Sequence, residues 1–400
     1  MRRQPDHRKA VILSGGGAYA AYEVGVLKAL LTAECPSTGY TFLNPGVLTG
    51  TSAGAINAAI LASYPDVDIC ALARFLEDVW VNRIGGGPER CGNGIMRYRG
   101  NLLRLADPQC LGRNPLETLG ELAGDGVYLA QNLFQHTLRF LISSGSIENR
   151  ALQFIDVGAF ITSEPIVRQL PALISLAGVR QSDRKLRIVA TNWSTGEVRT
   201  FCNDDMTDGQ GFEIIQASAA IPGIFSPSYI QGEPYVDGGV LMNTPLHCAI
   251  DAGATELHVI YMDPDVRNIP LYRLQSTIDV FDRLLVITSA TRVNEDIDTA
   301  RWINDGLDVV ERAARGGGAG DLTNEDLRSF IRAAGRIEQR LRAGTPYTKL
   351  TIHRYHPHDD LGGGALGLLN FDRDRLAALV RRGFADAVEH DCAASHCVLP

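Results

Sequence analysis

The stretch GTSAG at residues 50–54 decides how this chain folds. A short apolar run precedes it and a run of small residues continues to Ala62, which predicts a strand, a sharp turn and a helix. Such a turn holds a serine hydroxyl above the end of a sheet, and glycines flank it because side chains there would collide with neighbouring backbone. The helix N-terminus favours the negative charge that develops when a hydroxyl attacks a carbonyl. The stretch therefore predicts that Ser52 is a nucleophile for acyl transfer, with Gly50 and Gly54 as the turn glycines.

An earlier glycine-rich turn follows the first apolar run of the chain. Residues 9–13 (KAVIL) predict a buried parallel strand, and apolar residues spaced like one face of a helix recur over 20–31. Between them stands a triple glycine, formed by Gly15, Gly16 and Gly17. Successive glycine N–H groups can point at one oxygen because no side chain blocks the approach. The turn is interpreted as an oxyanion hole or a phosphate cradle, with a plain tight turn as the alternative.

Strand and helix patterns continue to alternate after the GTSAG turn. Helical patterns follow at 66–82, 243–253, 274–315, 323–342 and 370–390, and strand patterns at 187–191, 198–201, 235–236, 256–262 and 349–355. Residues 85–126 break the alternation with glycine- and arginine-rich sequence, which predicts a loop. The alternating order predicts a mostly parallel sheet that is covered by helices on both faces.

The composition is typical of a soluble globular protein, with 45% hydrophobic and 21% charged residues in a chain of 400. The formal net charge of −8 argues against nucleic-acid binding and gives no general attraction to anionic lipid, so any membrane contact has to be local. The N-terminus lacks the long apolar core of a secretory signal, and no run of about 18 apolar residues predicts a membrane span. We expect a cytoplasmic protein, with export by a route that needs no signal peptide left open.

Cysteine and histidine give little indication of a metal site. None of the eight cysteines falls in a C-x-x-C pair or a zinc spacing with histidine, which predicts scattered reduced thiols. Cys392 and Cys397 are close enough to form an oxidisable pair, but a frayed C-terminal tail is the preferred interpretation. His353, His356 and His358 suggest a metal cluster, for which a solvated strand end is preferred because no acidic or cysteine partner stands at fixed spacing. We expect no metal and no cofactor.

A basic stretch interrupts the acidic chain between residues 83 and 113. It holds six arginines against Glu89 and Asp107, a net charge of +4. This composition indicates an insertion over about residues 83–126. A solvated loop is the preferred interpretation, and a lid that contacts lipid headgroups is the alternative.

Two further motifs complete the pattern. Asp237-Gly238-Gly239 stands at a predicted strand end, and residues 217–227 (ASAAIPGIFSP) predict a short helix stopped by proline. Together with the triple glycine and the GTSAG turn, they closely resemble the patatin-like phospholipase family over about residues 9–263. The resemblance implies a three-layer α/β/α sandwich with a mostly parallel central sheet and a helical C-terminal extension.

The resemblance also implies roles for particular residues. Ser52 matches the family's nucleophile and Asp237 its base, in a dyad without a catalytic histidine. The triple glycine matches the oxyanion loop. The family usually has a basic residue and a glycine shortly after that loop, where this chain has Tyr19 and Ala20. The backbone donors of the loop are retained, but the positive charge is not.

The implied chemistry is coherent on the residues alone. Asp237 would take the proton of Ser52 as the hydroxyl attacks an ester carbonyl, and glycine N–H groups would bind the oxyanion until water hydrolyses the acyl-enzyme. Burial has to raise the pKa of Asp237, because an ordinary Asp, with a pKa of about 3.9, is a poor base for an alcohol. We expect a lipid acyl hydrolase of the phospholipase A or lysophospholipase type, acting without calcium on a lipid or fatty acyl ester.

Several alternatives and limits accompany this prediction. A transacylase would differ only in the acceptor of the acyl group, and a catalytically weak relative would bind lipid or a protein partner. A histidine-dependent esterase or acyltransferase would use one of the histidines that follow Asp237: His247, His258, His353, His356 or His358. We expect a catalytic domain over 1–263 and a mainly helical extension over 264–400 packed on it. Peripheral membrane contact and oligomeric state stay open.

Overall fold

The structure is a computed structural model that describes residues 5–86, 93–101, 115–142, 160–262, 277–314, 323–329, 348–363 and 367–399. Most of the basic stretch after residue 86 lies outside the described residues. So does most of the helix predicted over 323–342.

An eight-stranded sheet forms the centre of the described fold. Five neighbouring strands are parallel, and across the sheet they follow the order β10 (Thr351–Tyr355), β9 (Glu256–Ile260), β1 (Asp6–Leu13), β2 (Pro45–Thr51) and β5 (Lys185–Asn192). Antiparallel strands extend the sheet beyond β5, namely β6 (Val198–Cys202), β8 (Glu233–Asp237) and, at the edge, β7 (Ser228–Ile230). A separate small ribbon pairs β3 (Arg97–Tyr98) with β4 (Ile161–Thr162).

Helices connect these strands. In chain order they are α1 (Ala20–Leu31), α2 (Ala53–Ser63), α3 (Ile69–Asp78), α4 (Pro115–Ile142), α5 (Glu164–Leu173), α6 (Leu176–Gln181), α7 (Gly211–Ser218), α8 (Leu246–Asp251), α9 (Thr277–Ala314) and α10 (Arg373–Val388). No described helix is both long enough and apolar enough to cross a membrane.

Alternate residues of the central strands are buried in two separate cores. Val11 and Leu13 of β1 pack in the layer that contains α1, α2 and α10, whereas Ala10 and Ile12 pack in the layer that contains α8 and α9. A parallel strand buried on both faces needs a continuous apolar run, which the sequence of β1 supplies. The result is the three-layer α/β/α sandwich with a mostly parallel sheet that the sequence predicts.

The part of the chain after residue 263 is interwoven with the rest. It supplies β10, the strand at one edge of the sheet, and helix α10, which packs closely along α1. Gly25 and Gly383 permit this approach, because a side chain at either would meet backbone of the other helix. The domain boundary at residue 263 stays a prediction, while the helical C-terminal region is present.

Two element predictions are wrong in their bounds. Residues 115–126, predicted as loop, form the start of α4, because the glycines there lie in exposed positions where helix geometry meets no obstacle. The helix predicted from Asn243 starts only at Leu246, since Asn243 and Thr244 turn toward the first strand and bond there. The strand and helix predictions around Ser52 are confirmed.

Candidate active site

Ser52 stands on a strained turn between β2 and α2. Its backbone has φ 55° and ψ −124°, a conformation that L-residues adopt rarely. The N–H of Ser52 donates to the Oγ of Ser218, 3.0 Å away, and that hydroxyl donates to the carbonyl of Val189 at 2.7 Å. A Cβ on Gly54 would lie 2.6 Å from the carbonyl oxygen of Leu13. The predicted sharp turn is therefore present, and close packing of α2 against β1 requires its glycine.

Asp237 ends strand β8 and reaches the same place. Its carboxylate faces the side chain of Ser52 and accepts the N–H of Gly239 at 2.7 Å. Its own N–H donates to the carbonyl of Ala220 at 2.9 Å, and its carbonyl accepts the hydroxyl of Thr191 at 3.1 Å. Backbone on both sides of the residue is thus fixed, which holds the carboxylate against the serine.

Burial sets the electrostatics of the pair. Ser52 and Asp237 are 4% and 5% exposed. Desolvation raises the pKa of Asp237 to about 6, against the lowering effect of the hydrogen bonds from Ser52 and Gly239. The carboxyl is consequently ionised at neutral pH and is more basic than an ordinary aspartate, which suits a general base.

The triple glycine lies against Ser52, but its three N–H groups are not equivalent. A Cβ on Gly15 would lie 3.1 Å from the Cβ of Ser52, so the loop passes directly beside the hydroxyl. The N–H of Gly15 donates to the carbonyl of Asn243 at 3.1 Å, and the Asn243 amide donates back to the Gly15 carbonyl at 3.2 Å. Gly15 therefore anchors the loop. The N–H groups of Gly16 and Gly17 are left as the candidate donors to the oxyanion.

Contacts from distant segments hold this loop in place. The hydroxyl of Ser14 pairs with that of Thr244 at 2.8 Å and donates to the carbonyl of Ile260 at 3.0 Å. Gly16 lies against Met262 and Gly17 against Leu368, with no room for a Cβ at either glycine. The loop is thus clamped between the segment after Gly239 and the C-terminal part of the chain.

Tyr19, which stands where the family has a basic residue, serves as a further anchor. Its hydroxyl donates to the carbonyl of Gly362 at 2.7 Å, and the guanidinium of Arg375 lies 5.5 Å from its ring centroid. Ala20 is fully buried as the first residue of α1. Both departures from the family pattern therefore fit packing by the C-terminal segment.

Sequence reasoning missed the supporting roles of Ser218, Asn243 and Thr244. Ser218 lies in the ASAAIPGIFSP motif, but its spacing does not indicate that its hydroxyl accepts the N–H of Ser52, which is 166 residues away along the chain. Asn243 and Thr244 follow the Asp-Gly-Gly turn closely, and a polar pair there was the available signal.

The candidate histidines are engaged elsewhere. His247 pairs with Asp296 at 3.1 Å, and the ring nitrogens of His258 contact Tyr355 and Glu256 at 3.0 and 3.2 Å. Among histidines whose side chains the structure describes, none hydrogen-bonds Ser52 or Asp237. The interpretation as a solvated strand end is wrong for His353, which is only 6% exposed.

An apolar pocket adjoins the serine turn. Ile56, in the first turn of α2, and Ala220, which binds the N–H of Asp237, both line it. Its remaining wall is mostly aliphatic and aromatic, from Ile95, Ile166, Leu170, Ile215 and Phe225. Phe225 also borders a larger, more polar cavity of about 700 Å³. The site therefore offers apolar surface next to the nucleophile and a polar space beyond it.

The described arginines of the basic stretch are held by partners within the fold. Arg97 is 10% exposed and donates to Asp125 and Glu164, each at 2.6 Å. The guanidinium of Arg99 lies 3.9 Å from the ring centroid of Tyr128. These contacts tie the ribbon of β3 and β4 to α4 and α5, so this part of the insertion is not a solvated loop.

A buried serine on a glycine-flanked turn, beside a carboxylate and a glycine loop, is typical of serine-dependent acyl hydrolases. The model of the Patatin-like phospholipase family matches residues 11–250. This chain belongs to that family.

Similar proteins are known from curated relatives and from solved structures. A patatin-like phospholipase domain-containing protein of Pyricularia oryzae strain 70-15 is 46% identical over 56 residues, and one of strain Y34 matches equally. The match covers 14% of this chain and 6% of those proteins.

VipD from Legionella pneumophila is 18% identical with a TM-score of 0.36, over 96% of this chain and 66% of that one. Full-length ExoU with SpcU from Pseudomonas aeruginosa is 16% identical with a TM-score of 0.22, over 96% and 77%.

Proposed function

We propose that this protein is a serine lipid acyl hydrolase that cleaves fatty acyl esters with Ser52 and Asp237. The observation that carries the proposal is that these two buried side chains face each other at the ends of β2 and β8. Family membership supports the same chemistry. The curated relatives are matched over only 6% of their length, so the proposal rests on the site.

In the first step, the Ser52 hydroxyl attacks the ester carbonyl while its proton passes to Asp237. The carbonyl oxygen becomes an oxyanion, which the N–H groups of Gly16 and Gly17 would bind; such a donor contributes about 3–4 kcal/mol in other acyl-transfer enzymes. Asp237 then returns the proton to the leaving alcohol as the ester bond breaks. The fatty acyl group stays on Ser52 as an ester.

In the second step, an acceptor hydroxyl attacks the acyl carbonyl while Asp237 takes its proton. The bond from the acyl carbon to the Ser52 Oγ then breaks, and Asp237 returns the proton to Ser52. Water as the acceptor gives hydrolysis, and an alcohol gives transacylation. No charged side chain among the described residues lines the apolar pocket beside Ser52 to fix a particular alcohol there, and hydrolysis is the reaction that we propose. Neither step uses a metal, since backbone donors bind the oxyanion and Asp237 moves the proton.

The apolar pocket supports a fatty acyl group as the substrate portion nearest Ser52. Its wall is mostly aliphatic and aromatic, and each methylene buried against such a wall contributes about 0.8 kcal/mol. We propose phospholipids, lysophospholipids or neutral glycerides as the substrate class.

A stripe of exposed apolar side chains on α4 supports contact with a lipid surface. The stripe recurs at helical spacing along one face, as Leu116, Leu119, Val127, Phe134 and Leu138. Phe134 is 68% and Val127 60% exposed. A helix that exposes such a face can lie in a lipid interface. We propose this stripe, rather than the arginines, as the membrane contact.

Charge placed on the stripe tests this contact. Val127→Glu with Phe134→Glu should weaken binding to phosphatidylcholine vesicles at least about tenfold while leaving hydrolysis of a short soluble ester unchanged. Gln135→Glu, which adds charge off the stripe on the same helix, is the matched control. Equal losses in both assays, or equal losses in the control, would reject the stripe as the contact.

Release of p-nitrophenol from short- and long-chain acyl esters tests the reaction itself. Ser52→Ala and Asp237→Asn should each lower kcat/KM more than about 10⁴-fold, with a calcium chelator having no effect. Ser63→Ala removes a buried hydroxyl from the other end of α2 and should keep full activity. Activity that persists in Asp237→Asn would show that another group is the base.

A further inference from the structure

Four side chains from the C-terminal part of the chain converge at the edge of the sheet. His353 lies on the edge strand β10, and His390, Cys392 and Cys397 follow helix α10. Their donor atoms, two imidazole nitrogens and two sulfurs, all lie within 4.8 Å of one another. Both histidines are more than nine-tenths buried. This group is called the edge cluster below.

The distances in the edge cluster fit one shared tetrahedral cation. The Sγ of Cys392 lies 3.4 Å from Nδ1 of His353 and 3.5 Å from Nε2 of His390, and the Sγ of Cys397 lies 3.5 Å from the same Nε2. Tetrahedral Zn²⁺, with Zn–N of about 2.0–2.1 Å and Zn–S of about 2.3 Å, requires nitrogen and sulfur ligands about 3.6 Å apart. Thiols are weak hydrogen-bond donors, so hydrogen bonding alone gives little reason for this convergence.

Neighbouring groups orient the ligand atoms from outside. The backbone N–H of Arg354 points at the Sγ of Cys397, 3.4 Å away, as it would stabilise a thiolate. The hydroxyl of Ser395 lies 3.5 Å from Nδ1 of His390, which leaves Nε2 of that ring for the cluster. Partners of this kind fix the tautomer and orientation of metal ligands.

A second possible set of metal ligands, which combines His353 with Glu256 and His258, already has hydrogen-bond and ion-pair partners. Glu256 and His258 also lie near His353, but both ring nitrogens of His258 have partners, the Tyr355 hydroxyl and the Glu256 carboxylate. Lys9 pairs with the same carboxylate at 2.8 Å. His353 is therefore best used together with the two sulfurs.

We propose that His353, His390, Cys392 and Cys397 form a structural Zn²⁺ site. Two thiolates and two neutral imidazoles balance the charge of the ion, and this soft donor set favours zinc over magnesium or calcium. On binding, the two thiols release their protons to solvent. With four protein ligands the site is closed, so the ion has a structural role.

The zinc site would fasten the C-terminal segment to the exposed edge of the sheet. Ile352 of β10 and Val398 already exchange both backbone hydrogen bonds, at 2.8 and 2.9 Å. An ion between His353 and the cysteines would stabilise this pairing, because its ligands His353 and Cys397 are the chain neighbours of Ile352 and Val398.

Metal analysis of the untagged full-length protein, purified with reductant, tests the proposal. Wild type should contain equimolar zinc, and Co²⁺ exchanged for Zn²⁺ should give the intense absorption of thiolate-bound tetrahedral cobalt. Cys392→Ser and Cys397→Ser should weaken Zn²⁺ binding more than about 100-fold, since even partners outside the ligand set contribute 10–100-fold. Cys70→Ser is the matched control, because a serine hydroxyl can keep its hydrogen bond to Leu31.

If the cysteine variants do not fold, thiol alkylation of the wild-type protein can still test the zinc site. Zn²⁺ should protect two thiols from alkylation, and peptide mapping should identify them as Cys392 and Cys397. Free alkylation of both in the presence of Zn²⁺, no cobalt–thiolate absorption, or a disulfide between them in reduced preparations would each overturn the site. Equal loss of zinc in Cys70→Ser would do so as well.

Discussion

The Ser52–Asp237 pair and the edge cluster are two buried polar groups of one sheet, held in contrasting ways. Ser52 has a backbone φ of 55°, and burial raises the pKa of Asp237 to about 6, a cost that no cation among the described residues offsets. In the edge cluster, four uncharged donors converge, and the left-handed residue between the two cysteines, His396 with φ 51°, is not one of the donors. The Ser52–Asp237 pair combines a strained backbone with a desolvated carboxylate, whereas the edge cluster brings together donors that can bind one cation.

The contrast teaches how each site relates to stability. A strained nucleophile and a desolvated base lower the stability of the fold, because the chemistry needs them in that state. A closed metal site adds stability, because the ion binds the folded state only. Substitutions should therefore have opposite effects at the two places.

The largest expected effect is a divergence of activity and stability in Asp237→Asn. Activity should fall more than about 10⁴-fold, whereas the free energy of unfolding at pH 8 should rise by about 3 kcal/mol. The raised pKa means that Asp237 contributes stability below about pH 3.9, which is lost as pH rises through about 6; asparagine does not titrate.

Urea unfolding of wild type and Asp237→Asn at pH 4 and pH 8 measures this stability gain. The two proteins should have similar stability at pH 4, separate between about pH 4 and pH 6, and keep a constant difference from there to pH 8. A variant that is less stable than wild type at pH 8 would contradict the desolvation account of Asp237.

Loss of zinc should produce the reverse pattern at the edge cluster. With free Zn²⁺ at 1,000 times its Kd, wild type should be about 4 kcal/mol more stable than after zinc removal. Hydrolysis of a short ester at 25 °C should persist as long as the protein is folded. Thermal unfolding with and without added Zn²⁺ measures the difference, and an unchanged Tm would argue against a structural ion.

Gly54 and Gly120 give a smaller, opposite pair of effects. A Cβ at Gly54 meets the Leu13 carbonyl at 2.6 Å, so Gly54→Ala should lower the free energy of unfolding by about 1–3 kcal/mol. Gly120 lies exposed within α4 with nothing near its Cβ position, so Gly120→Ala should raise it by about 0.5–1 kcal/mol. Urea unfolding compares the two. If both substitutions changed the free energy of unfolding in the same direction, close packing would not explain the glycine at position 54.

A modest effect on both stability and kcat is expected from Ser218→Ala. Loss of its hydroxyl leaves the N–H of Ser52 without its partner, which should cost about 1–2 kcal/mol of stability and about tenfold in kcat. Ser63→Ala, whose hydroxyl bonds only the carbonyl of Ala59, should change kcat by less than about twofold. If both variants keep wild-type kcat, Ser218 only packs and does not position the turn.

The sheet and the pair of residues proposed for catalysis could be predicted because their signals are local. GTSAG and Asp-Gly-Gly each combine a strand end with glycines in a few consecutive residues, although the strand that ends in Asp237 runs antiparallel to β5. The Ser52–Ser218 bond could not be predicted, since its partners are 166 residues apart and serine spacing carries no information about it.

The edge cluster escaped sequence analysis for a related reason. Cys392 and His353 are 39 residues apart and meet only because the C-terminal segment returns to β10. The segment was expected to fray as a C-terminal tail. The N-terminal turns of α4 were missed because Gly120, Gly124 and Gly126 indicate loop in sequence, although each tolerates helix geometry.

Covalent labelling decides whether Ser52 and Asp237 act together. A fluorophosphonate reacts only with an activated serine, so wild type should form one adduct, on Ser52, at a rate that rises with pH through about 6 as Asp237 ionises. Asp237→Asn should label more than about 10³-fold more slowly, without that pH dependence. An adduct on another serine, or equal rates in wild type and Asp237→Asn, would contradict a Ser52–Asp237 acyl hydrolase.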